Sequence, residues 1–180
     1  MSGWWRRLVA QLVGRELPAG FSGTLATDEL VLAVAELRDG GYLVATSLGL
    51  WVPEGSSSRR MAWHLLSKVT WSGGVLAVTE AEETGAMRGA VLLADRPTRR
   101  YRLAASLGLA EAVQAKVTSS IKSRHHRDLP GGGVWFVQRK VAGRSGIVLQ
   151  VRADPGTDPD ALRAVTAQVA DRFRELHESG

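Results

Sequence analysis

Short runs of β-type residues dominate the stretch from residue 30 to residue 103 and predict about seven strands. The runs fall at residues 30–38, 42–48, 50–52, 60–71, 75–80, 90–94 and 100–103. Asp39, Gly40 and Gly41 separate the first two runs, and Asp-Gly between two such runs is typical of a tight hairpin turn. Short strands that recur at this spacing indicate an antiparallel sandwich or barrel.

Two later segments change from the strand pattern to a helical one. The first repeats an apolar residue every four positions, at Leu109, Val113, Val117 and Ile121. Residues 134–141 and 147–152 predict a hairpin, and Asp158 followed by Pro159 predicts the start of a last helix, since both residue types favour helix N-termini. The apolar stripe of that helix is Leu162, Val165, Val169, Phe173 and Leu176. The expected fold class is therefore α+β, mainly antiparallel β.

These patterns divide the chain into three parts. Residues 1–27 are expected to form an N-terminal amphipathic helix and a linker, and residues 28–123 a barrel with a closing helix. Residues 124–180 are expected to form a polar, glycine-rich connector, a β-hairpin and a C-terminal helix. A hairpin with one helix is too small to be stable alone, so we expect this last part to pack on the barrel.

The first segment combines paired aromatic and paired basic residues, Trp4, Trp5, Arg6 and Arg7. This composition is typical of a helix that lies on an anionic membrane surface. The alternative is a helix that packs its tryptophans against the sheet or frays at the terminus. A single short helix of low charge binds membranes weakly, which favours the second interpretation.

Composition narrows the possible classes of protein. The chain has 180 residues, 44% of them hydrophobic, and it has no cysteine, which excludes disulfides and thiolate metal ligands. It lacks an apolar run of the roughly 20 residues that a spanning helix needs. We therefore expect a cytoplasmic protein, with contact to the inner face of the membrane as the alternative. Residues 91–180 hold 15 Lys and Arg against 9 Asp and Glu, a net +6, which would suit an anionic partner such as nucleic acid, acidic lipid or an acidic protein surface.

Several of the strand patterns resemble a known fold. Residues 28–33 and 41–52 look like the first strands of bacterial pleckstrin-homology-like domains, residues 59–71 resemble their fourth strand, and residues 75–80 resemble their fifth. The likeness covers residues 28–123, and the whole chain resembles an uncharacterised family of actinobacterial proteins. The resemblance implies a barrel of seven strands closed by a C-terminal helix, with an appended hairpin and helix. It also implies a scaffold for binding lipid, peptide or protein, although the fold alone does not choose among them.

Two groups of basic residues are the candidate sites. The denser group follows the predicted barrel helix and consists of Lys122, Arg124, His125, His126 and Arg127. It could bind an anion or a partner, or it could be a solvated connector; a metal site is disfavoured because neighbouring histidines point in different directions. The second group is Arg96, Arg99, Arg100 and Arg102, which together with Arg59 and Arg60 could build a positive rim on the predicted barrel. The favoured alternative is an exposed strand face.

No pattern of catalytic residues accompanies these groups. The chain contains no recognisable triad order, metalloprotease motif or phosphate-binding loop, so we expect no enzyme, no cofactor and no metal. The favoured interpretation is a non-enzymatic binding or adaptor domain that engages a protein partner or a second copy of itself. The alternatives are peripheral binding to anionic lipid and weak binding of nucleic acid by the basic second half.

Overall fold

The computed structural model describes residues 16–105 and 108–179. In these ranges the chain forms eleven strands, a single 3₁₀ turn (Trp63–Leu65) and two α-helices, α1 (Leu109–Ser120) and α2 (Pro159–Glu178). The strands are β1 (Val31–Glu36), β2 (Tyr42–Thr46), β3 (Gly49–Glu54), β4 (Ser57–Ala62), β5 (Leu66–Ser72), β6 (Val75–Met87), β7 (Ala90–Asp95), β8 (Arg99–Arg102), β9 (Ile121–Leu129), β10 (Gly132–Lys140) and β11 (Ile147–Ala153). The fold is α+β and mostly antiparallel, as the sequence predicts.

The first sheet is the antiparallel series β1-β2-β3-β4. β1 pairs with β2 around the predicted hairpin turn, where Gly40 and Gly41 adopt φ values of 93° and 85°. Side chains rarely tolerate this left-handed region, so glycine suits both positions. β1 buries alternate residues, which fits a strand with one face on the core.

The second sheet has seven strands, in the order β5-β6-β7-β11-β10-β9, with β8 also pairing with β6. The 13-residue β6 extends past β5, so its first part pairs with β5 and β8 and its second part with β7. All of these pairs are antiparallel except the parallel pair of β7 and β11. This parallel pair joins the C-terminal hairpin to the barrel strands, so the sheet is continuous and curls around the core.

Two hydrophobic cores fill the two sides of this arrangement. The first lies between the four-stranded sheet and β5, β6 and β8, and α1 packs against it through Leu109 and Val113, both fully buried. The second lies between α2 and the seven-stranded sheet, and includes Val134, Phe136 and Val165. α1 packs on the first core with Leu109, Val113 and Val117, whereas Ile121 of the predicted stripe is the first residue of β9. α2 packs on the second core with Leu162, Val165, Val169 and Phe173, whereas Leu176 of the predicted stripe is 69% exposed.

The predicted start of the last helix is confirmed. Asp158 lies at the N-cap and its carboxylate accepts a hydrogen bond from the backbone N–H of Ala161 at 2.8 Å. Pro159 is the first helical residue, where its missing N–H leaves no bond unmade.

Three segments differ from the expectation. The predicted connector after residue 123 is largely the strand β9, which begins where α1 ends at Ser120 and pairs with β10 along its length. The stretch between the predicted strands 75–80 and 90–94 is mostly the second part of β6, which pairs with β7. The predicted strand 60–71 is interrupted by the 3₁₀ turn. In each case pairing or packing with distant segments determines the backbone conformation, and local composition does not contain this information.

Candidate functional site

The predicted positive rim brings arginines together, but carboxylates lie between them. Arg59 donates to both oxygens of Glu80, at 2.9 and 2.8 Å, and its Nε donates to Glu54 at 3.1 Å. Arg96 lies 3.7 Å from the same Glu80 carboxylate, and Arg99 lies 3.8 Å from Glu54. The hydrogen bond from Arg59 to Glu80 raises the pKa of the guanidinium. The rim is therefore a network of ion pairs in which the arginine charge is largely compensated.

Arg60 belongs to a different cluster, which is centred on a buried carboxylate. The Glu29 side chain is fully buried and pairs with Arg60 Nη1 at 2.6 Å. It also accepts hydrogen bonds from the Thr46 hydroxyl, the Ala26 backbone N–H at 3.0 Å and Trp51 Nε1 at 2.9 Å. Burial alone would raise the pKa of Glu29, but these donors outweigh it and the pKa is lowered. Sequence reasoning missed Glu29, because its partners Thr46, Trp51 and Arg60 lie far from it in the chain.

The two remaining rim residues, Arg100 and Arg102, lie exposed on β8. The four N-terminal residues Trp4, Trp5, Arg6 and Arg7 lie outside the described residues, so the membrane-surface interpretation stays a prediction. Within the described ranges, neither helix combines the length and the apolar character needed to cross a membrane.

The basic residues near 125 lie on two opposite faces of β9. Arg124 and His126 pair across from Val137 and Trp135. His125 and Arg127 instead pair across from Phe136 and Val134, two residues of the core under α2. Successive side chains of a strand point to opposite faces, so the two histidines cannot converge on one ion. Among the described residues no group of three or more potential ligands could hold a metal.

One side of the sheet faces away from α2 along the strands β7, β11, β10 and β9. We call it the open face. On it, the guanidinium of Arg124 lies 5.7 Å from the centre of the Trp135 ring, and the ring of His126 lies 4.8 Å from the same tryptophan. His126 Nε2 is also 2.7 Å from an oxygen of Asp154. Lys122 is exposed near Lys140, which lowers the pKa of the Lys122 amine. At its β9 end the open face therefore presents the exposed Arg124 and the Trp135 ring. Two acids lie on the same face, Asp128 and Asp154, at 3.5 and 2.7 Å from the ring nitrogens of His126.

Arg139 of β10 connects the C-terminal hairpin to the elements around the first core. Its guanidinium is buried and donates to the carbonyls of Leu66, at 2.9 Å, and Trp63, at 3.1 Å. It also donates to the Ser120 hydroxyl at 2.6 Å, at the end of α1. Burial, together with the charges of neighbouring arginines, lowers the pKa of Arg139 to about 10. One side chain therefore ties β10 to the 3₁₀ turn, to β5 and to α1.

A small cavity of about 30 Å³ lies beside Arg139 on the open face, and Arg124, Arg152 and Gln150 also line it. Gln150 donates to the His64 carbonyl at 2.7 Å, and Arg152 pairs with Asp95 at 3.3 Å. Its volume is sufficient for about one water molecule. These contacts add to the join between the two parts of the fold.

β9 forms one edge of the seven-stranded sheet. It has nine residues, and most of its side chains are exposed. Within the described residues, no strand pairs with its outer edge. Beside this edge, on the α2 side, a groove of about 150 Å³ runs between β9 and the helix, and we call it the β9 groove. Its lining includes His125, Phe136, Phe173 and Leu176, and Leu176 is 69% exposed.

The edge strand is the feature of the site that sequence reasoning missed. The basic residues of β9 were identified as candidates, but their strand geometry, their division between two faces and the neighbouring groove depend on the partner strand β10. The run of seven polar residues at 122–128, which lies between Ile121 and Leu129 and precedes a Gly-rich turn, is the signal that could have indicated a strand, because edge strands are often highly charged.

The chain was compared with protein-family models, with curated proteins and with solved structures. None of the three comparisons finds a match. The function of the chain is therefore inferred from its own geometry.

Proposed function

We propose that this chain is a non-enzymatic protein-binding module and that the outer edge of β9 is its contact surface. The observation that carries the proposal is a nine-residue strand at the end of a sheet with no partner among the described residues. Such an edge presents a row of backbone N–H and C=O groups that an extended segment of another protein can pair with.

The proposed scaffold is a pleckstrin-homology-like barrel. A four-stranded sheet, a second group formed by β5, β6 and the β7–β8 segment, and the helix α1 against the core support this assignment. In this view residues 121–179 extend the second sheet of the barrel and add α2. The extension is the part that gives the module its own binding edge.

The edge is held rigidly, which favours binding. Arg139 and Gln150 fix β10 and β11 to backbone carbonyls of the barrel, and β9 pairs with β10 from residue 121 to residue 129. A preformed surface loses little conformational entropy when a partner binds, so more of the contact energy appears as affinity.

Other surfaces of the described chain are less suited to a protein partner. Most arginines of the barrel rim pair with carboxylates, which disfavours a phosphate-binding rim: Arg59, Arg96 and Arg99 pair with Glu54 or Glu80, and Arg60 pairs with Glu29. The opposite sheet edge, β5, is shorter, and α1 packs beside it. β9 is longer and keeps its charges exposed.

The charge of β9 favours a different protein over a second copy. The strand has three cations, Lys122, Arg124 and Arg127, against one acid, Asp128. Pairing two β9 strands would bring like charges together across the new pair, which is unfavourable. The same charges would attract an acidic segment.

Photo-crosslinking tests the proposal. A benzoylphenylalanine residue is introduced at Arg127 of β9 and, as a matched control, at Lys68 of β5, which is an exposed basic position on the other sheet edge. Irradiation of cells of the native host, followed by mass spectrometry, should give a defined product from position 127 and none from position 68. A product from position 68 alone, or no product from either, contradicts the proposal.

A further inference from the structure

The two sides of the β9 edge differ in chemistry. On the open face, Arg124 and His126 flank the half-buried ring of Trp135. This side offers a positive charge that is exposed at the edge, where a carboxylate could reach it. The exposed guanidinium also keeps its donors available, because its neighbour is an aromatic ring and not an acid.

On the α2 side, the edge borders the apolar β9 groove. Phe136 and Leu149 form its floor, and Phe173 and Leu176 of α2 form its wall. The 69% exposure of Leu176 is unusual for a large apolar side chain on this surface. The groove volume of about 150 Å³ is sufficient for one aliphatic side chain.

A strand added to β9 would contact the open face and the β9 groove at the same time, because its side chains alternate between the two faces of the sheet. Every second residue would point towards Arg124 and Trp135, and the residues between would point towards the groove. We propose that the segment bound by β9 is an extended peptide that alternates acidic and apolar side chains. The acidic side chains contact the open face, and an apolar side chain fills the β9 groove.

This inference rests on the proposed function and adds the chemistry of the partner. Charge complementarity selects an acidic side chain opposite Arg124, whose exposed guanidinium lies over Trp135 and pairs with no acid among the described residues. The acids on the same face, Asp128 and Asp154, are engaged by His126. The backbone of an extended peptide matches the alternating donors and acceptors of the edge, whereas a nucleic-acid backbone supplies phosphate acceptors only. The apolar groove likewise favours a peptide over a polynucleotide.

Synthetic peptides test the chemistry with the full chain. The probe is a fluorescein-labelled nine-residue peptide that alternates glutamate and leucine, and its affinity is measured by fluorescence anisotropy. One control peptide has the same composition with the glutamates and leucines in two blocks, and a second has lysine in place of glutamate. The alternating acidic peptide should bind at least about tenfold more tightly than either control, because only it satisfies both sides of the edge.

Variants identify where the peptide binds. Arg124→Glu and Leu176→Asp should each weaken binding about tenfold or more, while the matched exposed changes Arg100→Glu and Gln168→Asp should leave it within about twofold. Amide chemical shifts in an NMR titration should move along β9 and the end of α2. Equal affinity for the block peptide, or shifts confined to β5 and α1, overturns the inference.

The outcomes separate this inference from the proposed function. If position 127 crosslinks to a protein but the alternating peptide binds no better than its controls, the protein-binding function stands and the partner chemistry is wrong. If a single-stranded oligonucleotide of the same length binds at β9 as tightly as the peptide, the inference is overturned in favour of phosphate recognition. If neither crosslinking nor peptide binding occurs, both fail.

Discussion

Replacement of Arg139 by methionine should lower the free energy of unfolding by about 3 kcal/mol. The change keeps a long flexible side chain but removes donors to the Leu66 and Trp63 carbonyls and to the Ser120 hydroxyl. Hydrogen bonds from a charged donor contribute about 1.5–3 kcal/mol each, so three of them give roughly 4.5–9 kcal/mol.

An opposing effect reduces this loss. Burial lowers the pKa of Arg139 to about 10. Keeping the guanidinium charged at neutral pH therefore lowers the free energy of unfolding. This cost is on the order of 3 kcal/mol and disappears with the guanidinium. The remaining loss is about 3 kcal/mol. Arg139→Lys should be destabilising by a similar amount, because an ammonium group cannot reproduce the fork of planar donors.

Urea unfolding at pH 7, followed by tryptophan fluorescence and far-UV circular dichroism, measures the difference. Arg144→Met serves as the control, since Arg144 is exposed in the turn between β10 and β11, and it should change stability by less than about 0.5 kcal/mol. If Arg139→Met also lies within about 0.5 kcal/mol of the wild type, the guanidinium does not hold the two parts of the fold together, and the reasoning is refuted.

Three further changes test other contacts. Glu29→Gln should destabilise the protein at pH 7, and the effect should shrink as the pH is lowered below 4.5. The folded-state pKa of Glu29 lies below its ordinary 4.5, so its contribution is full above 4.5 and is lost as the pH falls through the folded-state pKa. An effect in urea unfolding that stays constant as the pH is lowered until the protein unfolds in acid would count against this. A double-mutant cycle of Arg59→Ala and Glu80→Ala should give a coupling energy of about 1 kcal/mol, because the two side chains are only 28% and 10% exposed. A coupling energy below about 0.3 kcal/mol at low salt would be inconsistent with the ion pair. Gly131→Ala should cost at least about 2 kcal/mol, since the new Cβ would lie 2.2 Å from a backbone oxygen, whereas Gly55→Ala, also at positive φ but in open space, should cost about 1 kcal/mol; equal losses would contradict the contact.

Local sequence signals were sufficient to predict the turns, caps and helix faces that depend on neighbouring residues. The Asp39–Gly41 turn, the Asp158 cap and most of the apolar stripe of α2 depend on residues close together in the chain and are found where they were predicted. Leu176, the last residue of the predicted stripe, is instead exposed. These features follow from backbone conformation and side-chain period, which a single sequence contains.

The candidate site depended on contacts that a single sequence does not contain. β9 is a strand because β10 pairs with it, and its neighbouring groove exists because α2 leaves the edge uncovered. No local pattern distinguishes Glu29 or Arg139 in the sequence. In the structure, Glu29 accepts hydrogen bonds from distant segments and Arg139 donates hydrogen bonds to distant segments. Burial and partners of this kind arise from the tertiary fold, so neither residue could be identified in advance.

The most direct test of the binding edge is amide hydrogen exchange along residues 121–129, measured with and without the partner identified by crosslinking. In the free protein, the β9 amides that do not pair with β10 should exchange rapidly, because no strand among the described residues covers them. In the complex these amides should exchange at least about tenfold more slowly, while those of β5 remain unchanged. Protection of β5 or of the barrel rim, with β9 unaffected, would contradict the assignment of the binding edge to β9.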